Sequence, residues 1–197
     1  YQVNSGNSYS YLGTLQREGQ ASSGEVSSIA VHTYTLDGVS TVIIAVGGYG
    51  EESGWAYVAE FDGTVNLQNV QDITLRSETS STAIYAVAFN HRGSALCVCG
   101  PNDGIGIAEL FETSFSSTGF SVGSSFDLTQ SVSFYRVYCA AFSPNDNALV
   151  VGGYYRWALS NDEKVAGYHI TYNSDGGINQ IIGQDYGGLV TALYTTC

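Results

Sequence analysis

Residues 137–153 read Val-Tyr-Cys-Ala-Ala-Phe-Ser-Pro-Asn-Asp-Asn-Ala-Leu-Val-Val-Gly-Gly, two short apolar runs joined by a polar turn. The same arrangement occurs at 84–100 and at 28–48, and a further copy begins at 190–193. Repetition of this kind decides architecture before any single residue does, because each unit buries its apolar faces against its neighbours.

The last apolar residue of the first run marks the repeat and is Val31, Phe89, Phe142 or Leu193. These positions are 58 (89−31), 53 (142−89) and 51 (193−142) residues apart. After the second run, each complete unit has a polar turn, a third apolar strand and a more polar fourth strand, such as 178–182. Four strands per unit, apolar inside and polar at the outer edge, are typical of a β-propeller blade.

The pattern therefore predicts an all-β protein made of four-stranded antiparallel blades, with less than about 10% helix. The apolar runs that we expect to be paired inner strands are 42–46, 84–89, 95–99, 137–142 and 148–151. The residues that we expect in the core recur at equivalent positions of the units: Ile29, Val31, Ile44, Val46, Val87, Phe89, Leu96, Val98, Ala140, Phe142, Leu149 and Val151.

We expect a single propeller-like domain over 1–197 with three complete blades, approximately 26–76, 84–132 and 137–183. Incomplete blades would supply an outer strand at 9–15 and a first strand at 189–194. Three blades do not close a ring, since propellers typically have four to eight. Either the chain is a segment of a longer propeller, or several copies assemble.

The run at 141–153 resembles the hairpin between the first two strands of WD-repeat propellers, and Asn102-Asp103-Gly104 is similar to that family's acidic turn into the third strand. The resemblance covers about residues 26–197 and implies a non-catalytic propeller that binds or scaffolds proteins or peptides. The chain departs from the family in its longer spacing, against the usual 40–45 residues, and it lacks the His before the first strand. The family's Trp-Asp is replaced in each unit, by Glu60-Phe61, Leu110-Phe111 and His169-Ile170.

Composition excludes several classes of protein. With 44% hydrophobic and 12% charged residues the chain is not disordered, and 24 Gly with 15 Tyr suit a turn-rich all-β fold. The net charge of −12 argues against nucleic acid, which is bound through a basic face, and disfavours an anionic membrane. No apolar run reaches the 18 residues of a membrane-spanning helix, so we expect no membrane span.

The cysteines do not determine the cellular compartment of the protein. Cys97 and Cys99 are two residues apart on a predicted strand, so they share one face and do not easily bond each other. Buried thiols are the simpler interpretation, and a bridge from Cys139 to one of them is the alternative. Because the chain begins with Tyr1 rather than Met, we expect a processed or partial chain, with an extracellular location favoured over a cytoplasmic one. The disulfide state of Cys197 stays open as well.

Motifs for catalysis are absent from the sequence. There is no His-Glu-x-x-His, no Gly-x-Ser-x-Gly and no phosphate loop, and His32, His91 and His169 do not fall at metal-ligand spacing. The sequence therefore predicts no catalytic residue, no metal site and no cofactor.

Acidic and aromatic residues fall in the turns that emerge at one end of a propeller. Such side chains on a rigid scaffold suit a recognition face, because aromatics supply contact area at low entropic cost. The candidate binding residues are Tyr49, Glu51, Glu52, Trp55, Asp103, Tyr154, Tyr155, Trp157, Asp162, Glu163, Asp185 and Tyr186. The alternative interpretation is a solvated surface on which aromatics cover the strand ends.

Three functions remain open. The leading hypothesis is a non-catalytic binding or scaffolding propeller with a protein or peptide partner. The second is a structural protein that assembles with further copies of itself through open strand edges. The third is a secreted propeller that binds or hydrolyses carbohydrate through the aromatic turns.

Overall fold

The computed structural model describes residues 2–3, 9–10, 24–50, 54–61, 67–75, 82–102, 105–130, 134–157 and 160–185. Within these ranges there is no α-helix, and one 3-10 turn covers Leu128–Gln130. The described part of the chain also holds no helix with the length and apolarity of a membrane span.

The strands form three four-stranded antiparallel sheets and one two-stranded sheet. The two-stranded sheet consists of β1 (Gln2–Val3) and β2 (Tyr9–Ser10). The first sheet consists of β3 (Gly24–Leu36), β4 (Val39–Gly50), β5 (Gly54–Phe61) and β6 (Leu67–Asp72). The middle sheet consists of β7 (Ala86–Phe89), β8 (Ala95–Asn102), β9 (Ile105–Ser116) and β10 (Gly119–Asp127). The third sheet consists of β11 (Arg136–Phe142), β12 (Ala148–Trp157), β13 (Ser160–Tyr172) and β14 (Ile178–Asp185).

The order of strands within each four-stranded sheet follows the chain, so the first and fourth strands are the two edges. We call the first strands the inner strands, because β7 contacts both β3 and β11, and the fourth strands the outer strands. This confirms the all-β prediction and the three repeated four-stranded units. Of the predicted strand 9–15, Tyr9 and Ser10 form β2 and pair with β1. Residues 11–15 and the predicted strand 189–194 lie outside the described residues.

Register is the same in the three sheets. The reference residue of each unit pairs with an equivalent residue of the second strand: Val31 with Ile44, Phe89 with Leu96, and Phe142 with Leu149. Because side chains alternate between the two faces of a strand, equal register places equivalent residues on equivalent faces.

The middle sheet is covered on both faces, and β8 is buried along its whole length. One face packs against the first sheet in a core formed chiefly by Ile43, Ala45, Val58, Ile84, Val87, Leu96, Val98 and Phe111. The other face packs against the third sheet in a core formed chiefly by Cys97, Cys99, Leu110, Val137, Leu149, Val151, Tyr168 and Ile170. Strands covered on both faces become continuous apolar runs, which explains the composition of the repeat.

Most of the predicted core residues are confirmed, and the prediction is wrong for two of them. Seven of the predicted residues are buried: Ile44, Val46, Val87, Leu96, Val98, Leu149 and Val151. Phe89, Ala140 and Phe142 are half-buried and pack against the same cores. Ile29 and Val31 are instead 61% and 60% exposed. They lie on β3 and point away from the middle sheet, so no sheet of the described chain covers them as their counterparts are covered.

A close backbone approach recurs within the second strand of each four-stranded sheet. A Cβ added to Gly48 would lie 2.1 Å from the backbone oxygen of Glu25. At the equivalent Gly100 it would lie 1.8 Å from the backbone oxygen of Ala83, and at Gly153 2.1 Å from that of Arg136. Glycine is required at this position because it alone lets the two backbones approach so closely.

Two carboxylates at equivalent positions on the third strands link each sheet to the next. The Oε1 atom of Glu60 accepts a hydrogen bond of 2.8 Å from the backbone N–H of Phe120 in the middle sheet. The Oε1 atom of Glu112 accepts one of 2.8 Å from the backbone N–H of Ile178 in the third sheet. Both bonds end at the beginning of the outer strand of the following sheet, so the link is directional.

Asp146 provides a third link between sheets. It lies in the β11–β12 turn with its side chain 1% exposed. Its two carboxylate oxygens accept hydrogen bonds of 2.6 and 3.0 Å from the backbone N–H groups of His91 and Arg92 in the middle sheet. The hydroxyl of Tyr172 donates to the backbone oxygen of Asp146 at 3.0 Å. Charge-assisted bonds of this kind are stronger than neutral ones, so this turn fixes the stacking of the two sheets.

The three described cysteines, Cys97, Cys99 and Cys139, are present as thiols. Cys97 and Cys99 are buried on the same face of β8, as the sequence predicts, and Cys139 is half-buried on β11. The interpretation of these residues as thiols is therefore confirmed, and the alternative of a disulfide from Cys139 to Cys97 or Cys99 is wrong. Cys197 lies outside the described residues.

We expect Gly100→Ala to lower the free energy of unfolding by about 1–3 kcal/mol, the usual cost of overpacking. The new methyl group would meet the backbone oxygen of Ala83, which cannot rotate away as a side chain would. Gly123→Ala is the matched control, because its Cβ meets no atom closer than 3.6 Å. Urea unfolding of both variants measures the effect, and equal losses would contradict a close approach at Gly100.

We expect Asp146→Asn to lower the free energy of unfolding by about 1.5–3 kcal/mol. Asparagine tolerates the positive φ of 64° at this position. However, its side chain has one oxygen and one NH2 group, so one of the two backbone N–H groups, of His91 or Arg92, would face a donor and lose its acceptor. Asp175→Asn is the control, since Asp175 is exposed and accepts a bond within its own turn, from Gly177. The measurement is chemical unfolding. If the free energies of unfolding of both variants equalled that of the parent chain, the Asp146 link would contribute nothing to stability.

Candidate functional site

Five tyrosines form a continuous row of aromatic contacts across the three sheets, in the order Tyr49, Tyr85, Tyr138, Tyr154 and Tyr135. We call this set the tyrosine row. The ring centroids of Tyr85 and Tyr138 are 5.6 Å apart with an interplanar angle of 8°, and those of Tyr138 and Tyr154 are 5.8 Å apart at 27°. Tyr49 meets Tyr85 edge-on at 6.4 Å, and Tyr135 meets Tyr154 at 5.3 Å. The row therefore exists only because the sheets stack in register.

Backbone geometry aims two of these rings. Tyr138 is the extra residue of a bulge in the β11–β12 ladder, between Val137 and Cys139. Tyr85 has the equivalent place in the middle sheet, where its N–H donates to the backbone oxygen of Cys99 at 2.9 Å. A bulge re-aims the side chain that it inserts, which explains how the Tyr138 ring meets the Tyr85 ring instead of entering the inter-sheet core. Tyr138 is 42% exposed.

Tyr49 and Tyr154 enter the row from the second strands. Each follows a Gly-Gly pair, and the two positions are equivalent in register, as the sequence predicts. Their partners across the ladder carry opposite charges: Tyr49 pairs with Glu25, and Tyr154 pairs with Arg136. The row thus has an acidic residue at one end and a basic residue at the other.

The Tyr49 hydroxyl donates a hydrogen bond to Oε2 of Glu25. This bond and the charge of Glu25 raise the pKa of Tyr49, because loss of the proton would break the bond and place two negative charges side by side. At the other end, partial burial raises the pKa of Tyr138, and a hydrogen bond with Arg136 opposes that rise. The Arg136 guanidinium also lies 5.8 Å from the centroid of the Tyr135 ring.

A groove of about 550 Å³ lies along the inner strands of the three sheets. It is lined by Val26, Ser27, Ser28, Ile29, Ala86, Val87 and Ala140. Ala86 directly follows Tyr85 along the chain, so the groove adjoins the tyrosine row. The phenol rings of the row, the Glu25 carboxylate and the Arg136 guanidinium are groups that can contact another molecule through ring stacking, hydrogen bonds and charge. Within the described residues, no group of three or more His, Cys, Asp or Glu side chains could hold a metal ion.

The structure brings two of the predicted binding residues into the row, Tyr49 and Tyr154. Trp55 lies elsewhere: its ring stacks on Tyr57 at 5.8 Å, and it packs against a buried apolar cluster on the face of the first sheet that points away from the middle sheet. Trp55 therefore has a packing role in this structure.

The remaining predicted residues are placed through their backbones or lie outside the described ranges. In the β12–β13 hairpin Tyr154 pairs with Glu163, Tyr155 with Asp162, and Trp157 with Ser160. Asp185 ends β14, where it pairs with Ala166. Glu51, Glu52, Asp103 and Tyr186 lie outside the described residues. A binding role for these residues stays a prediction.

Sequence reasoning missed Tyr85, Tyr138, Tyr135, Glu25 and Arg136. One signal for the first two was present, because Tyr85 and Tyr138 both stand four residues before the reference Phe of their unit. Strict alternation along a strand would have placed the Tyr138 side chain on a sheet face, and the bulge directs it to the row.

No protein-family model matches the chain, and no curated protein matches it.

We expect the phenol of Tyr49 to titrate above its ordinary pKa of 10, and Glu25→Gln to bring the pKa back toward that value. The glutamine side chain carries no charge, so the phenolate formed at alkaline pH would face no carboxylate. The measurement is the ultraviolet absorbance of phenolate against pH, with the Tyr49→Phe curve subtracted to isolate this residue. An unchanged pKa in the Glu25→Gln variant would contradict the contact between the two side chains.

Proposed function

We propose that this chain is a non-catalytic binding module whose three sheets are blades of a β-propeller. We further propose that the tyrosine row recognises an extended segment of a protein or peptide partner. The observation that carries the proposal is the row itself, in which rings from all three sheets form one partly exposed surface.

Repetition of contacts supports the propeller. The three four-stranded sheets share strand order, register and the glycine close approach within the second strand. The bonds from Glu60 and Glu112 lead from one sheet to the next in the same direction. A unit that repeats both its fold and its contact with the next unit is the structural basis of propellers and related repeat proteins.

Ring geometry favours a peptide over a carbohydrate. A sugar stacks on an open aromatic face, but Tyr85 and Tyr138 turn their faces toward each other at 8°. Their free edges and hydroxyls suit backbone amides and side chains of an extended chain. Tyrosine is also common at protein recognition surfaces, because it contributes large contact area with few rotatable bonds.

Opposite charges at the two ends of the tyrosine row would set the orientation of a bound segment. Glu25 lies beside Tyr49, and Arg136 lies beside Tyr138 and Tyr154. A partner segment with a basic residue at one end and an acidic residue at the other would complement both. The net charge of −12 adds a preference for partners that are basic as a whole.

The test is selection of random displayed peptides on the parent chain, followed by affinity measurement on variants. Tyr138→Ala should weaken binding of the selected peptides at least about tenfold, as loss of a central aromatic does, whereas Tyr138→Phe keeps the stacked ring. Glu25→Lys should reverse the preference for a basic residue at that end of the peptide.

Val70→Ala serves as the control, because Val70 is 41% exposed on β6, away from the row. Equal affinities of Tyr138→Ala and Val70→Ala for the selected peptides would overturn the proposal. Binding to a glycan array that depends on Tyr138 would instead support the carbohydrate alternative.

A further inference from the structure

The tyrosine row brings five phenols into one series of near contacts, and phenols are among the side chains that lose single electrons to an oxidant. The ring centroids of neighbours in the row are 5.3–6.4 Å apart. Tyr138, in the middle of the row, is 42% exposed, so an oxidant in solution can reach it. Because each ring contacts the next, an electron vacancy formed at one ring can pass to the others.

The angle between two rings decides whether their oxidised forms can join. The unpaired electron of a phenoxyl radical occupies orbitals perpendicular to the ring, with high density on the carbons ortho to the oxygen. Two such rings therefore join through their faces, which requires nearly parallel planes. Tyr85 and Tyr138 meet at 8°, with centroids 5.6 Å apart. The other contacts of the row are less parallel, at 27° for Tyr138 with Tyr154, 41° for Tyr135 with Tyr154 and 81° for Tyr49 with Tyr85.

Glu25 favours oxidation at the end of the row. A phenol that loses an electron becomes strongly acidic and gives up its hydroxyl proton. The Tyr49 hydroxyl already donates to the Glu25 carboxylate, which can take that proton. Since Tyr49 stands edge-on to Tyr85, its radical does not couple there and instead takes an electron from Tyr85, while Glu25 returns the proton to Tyr49. The vacancy then lies on Tyr85, beside the parallel ring of Tyr138.

We propose that Tyr85 and Tyr138 are the site of an oxidative cross-link, a dityrosine, formed with a peroxidase and hydrogen peroxide as the one-electron oxidant. Each phenol loses one electron and its hydroxyl proton, and the two phenoxyl radicals form one carbon–carbon bond between ortho carbons. Each of these carbons then loses its hydrogen as a proton, and each oxygen regains one. The pair gives up two electrons and two protons in total, and the peroxide is reduced to two molecules of water.

The cross-link would join two sheets that otherwise touch without a covalent bond. Tyr85 directly precedes β7 of the middle sheet, and Tyr138 lies in β11 of the third sheet, 53 residues further along (138−85). A covalent link between distant residues restricts the unfolded chain, so it stabilises the folded state as a disulfide does. The proposal uses the ring geometry alone and does not depend on recognition of a peptide.

The experiment treats the dilute full chain with a haem peroxidase and a small amount of hydrogen peroxide, and then digests it after Lys and Arg. Residues 77–92 contain Tyr85 as their one tyrosine, and Tyr138 lies in 137–156. The expected product is a covalent pair of these two peptides, lighter by two hydrogen atoms than their sum and with dityrosine fluorescence. Fragmentation should place the bond at Tyr138 and not at Tyr154 or Tyr155.

Two tyrosine variants test the choice of residue. Tyr138→Phe keeps the stacked ring but has no hydroxyl proton to lose, so the cross-linked peptide pair should disappear. Tyr34→Phe is the matched control, because Tyr34 stacks at 4.3 Å on Phe115, which forms no phenoxyl radical. Its yield should equal that of the parent chain. Oxidation should raise the urea concentration at which the parent chain unfolds, and it should leave that of Tyr138→Phe unchanged.

Four results would overturn the proposal. The first is a parent chain that gives no link between 77–92 and 137–156, including one that links only to other molecules. The second is a bond located at Tyr154 or Tyr155. The third is an undiminished yield in Tyr138→Phe. The fourth is an equal yield from the chain oxidised in urea above its unfolding transition, since the stacked sheets would then have no part in selecting the pair.

Discussion

The structure depends on a contact between two backbones. Within the second strand of each four-stranded sheet, a glycine lets the neighbouring inner strand approach so closely that a Cβ would lie 1.8–2.1 Å from a carbonyl oxygen. In the first and third sheets, one extra residue enters the inner strand just beyond this contact, and the ladder bulges. A regular ladder would keep Tyr138 in strict alternation on a sheet face. The close approach thus connects the fold to the surface that we propose for binding.

Apolar burial alone would not hold the three sheets in one register. It is non-directional and roughly proportional to area, so sheets could slide past each other at little cost. The bonds from Glu60, Glu112 and Asp146 to backbone N–H groups of a neighbouring sheet remove that freedom, because each requires one alignment. Asp146 is the buried one of the three, and losing its donors would leave a desolvated carboxylate without hydrogen bonds, which makes misalignment of the middle and third sheets costly.

The repeat in the sequence predicts the strands, their order and their register, because strands covered on both faces become continuous apolar runs that end in glycine. The same reasoning fails at Ile29 and Val31, which have the pattern of core residues and are exposed. Periodicity identifies the face on which a side chain lies, but not which part of that face is covered: Ile44 and Val46, the partners of Val31 and Ile29 across the ladder, are buried. It also fails at Tyr138, since a bulge changes the direction of a side chain without changing the composition of the strand.

Position within the sheets also explains why the tyrosine row and the stacking of sheets are coupled. The contact between Tyr85 and Tyr138 joins the middle and third sheets, and the contact between Tyr49 and Tyr85 joins the first and middle sheets. A single unit would present isolated rings, so the row is a property of the stack. A partner that binds several rings at once binds the stacked state and not the separated one, and mass action then makes it a stabiliser of the stack. The Asp146 link and the row lie in different parts of the interface between the middle and third sheets, yet both are lost when those sheets separate.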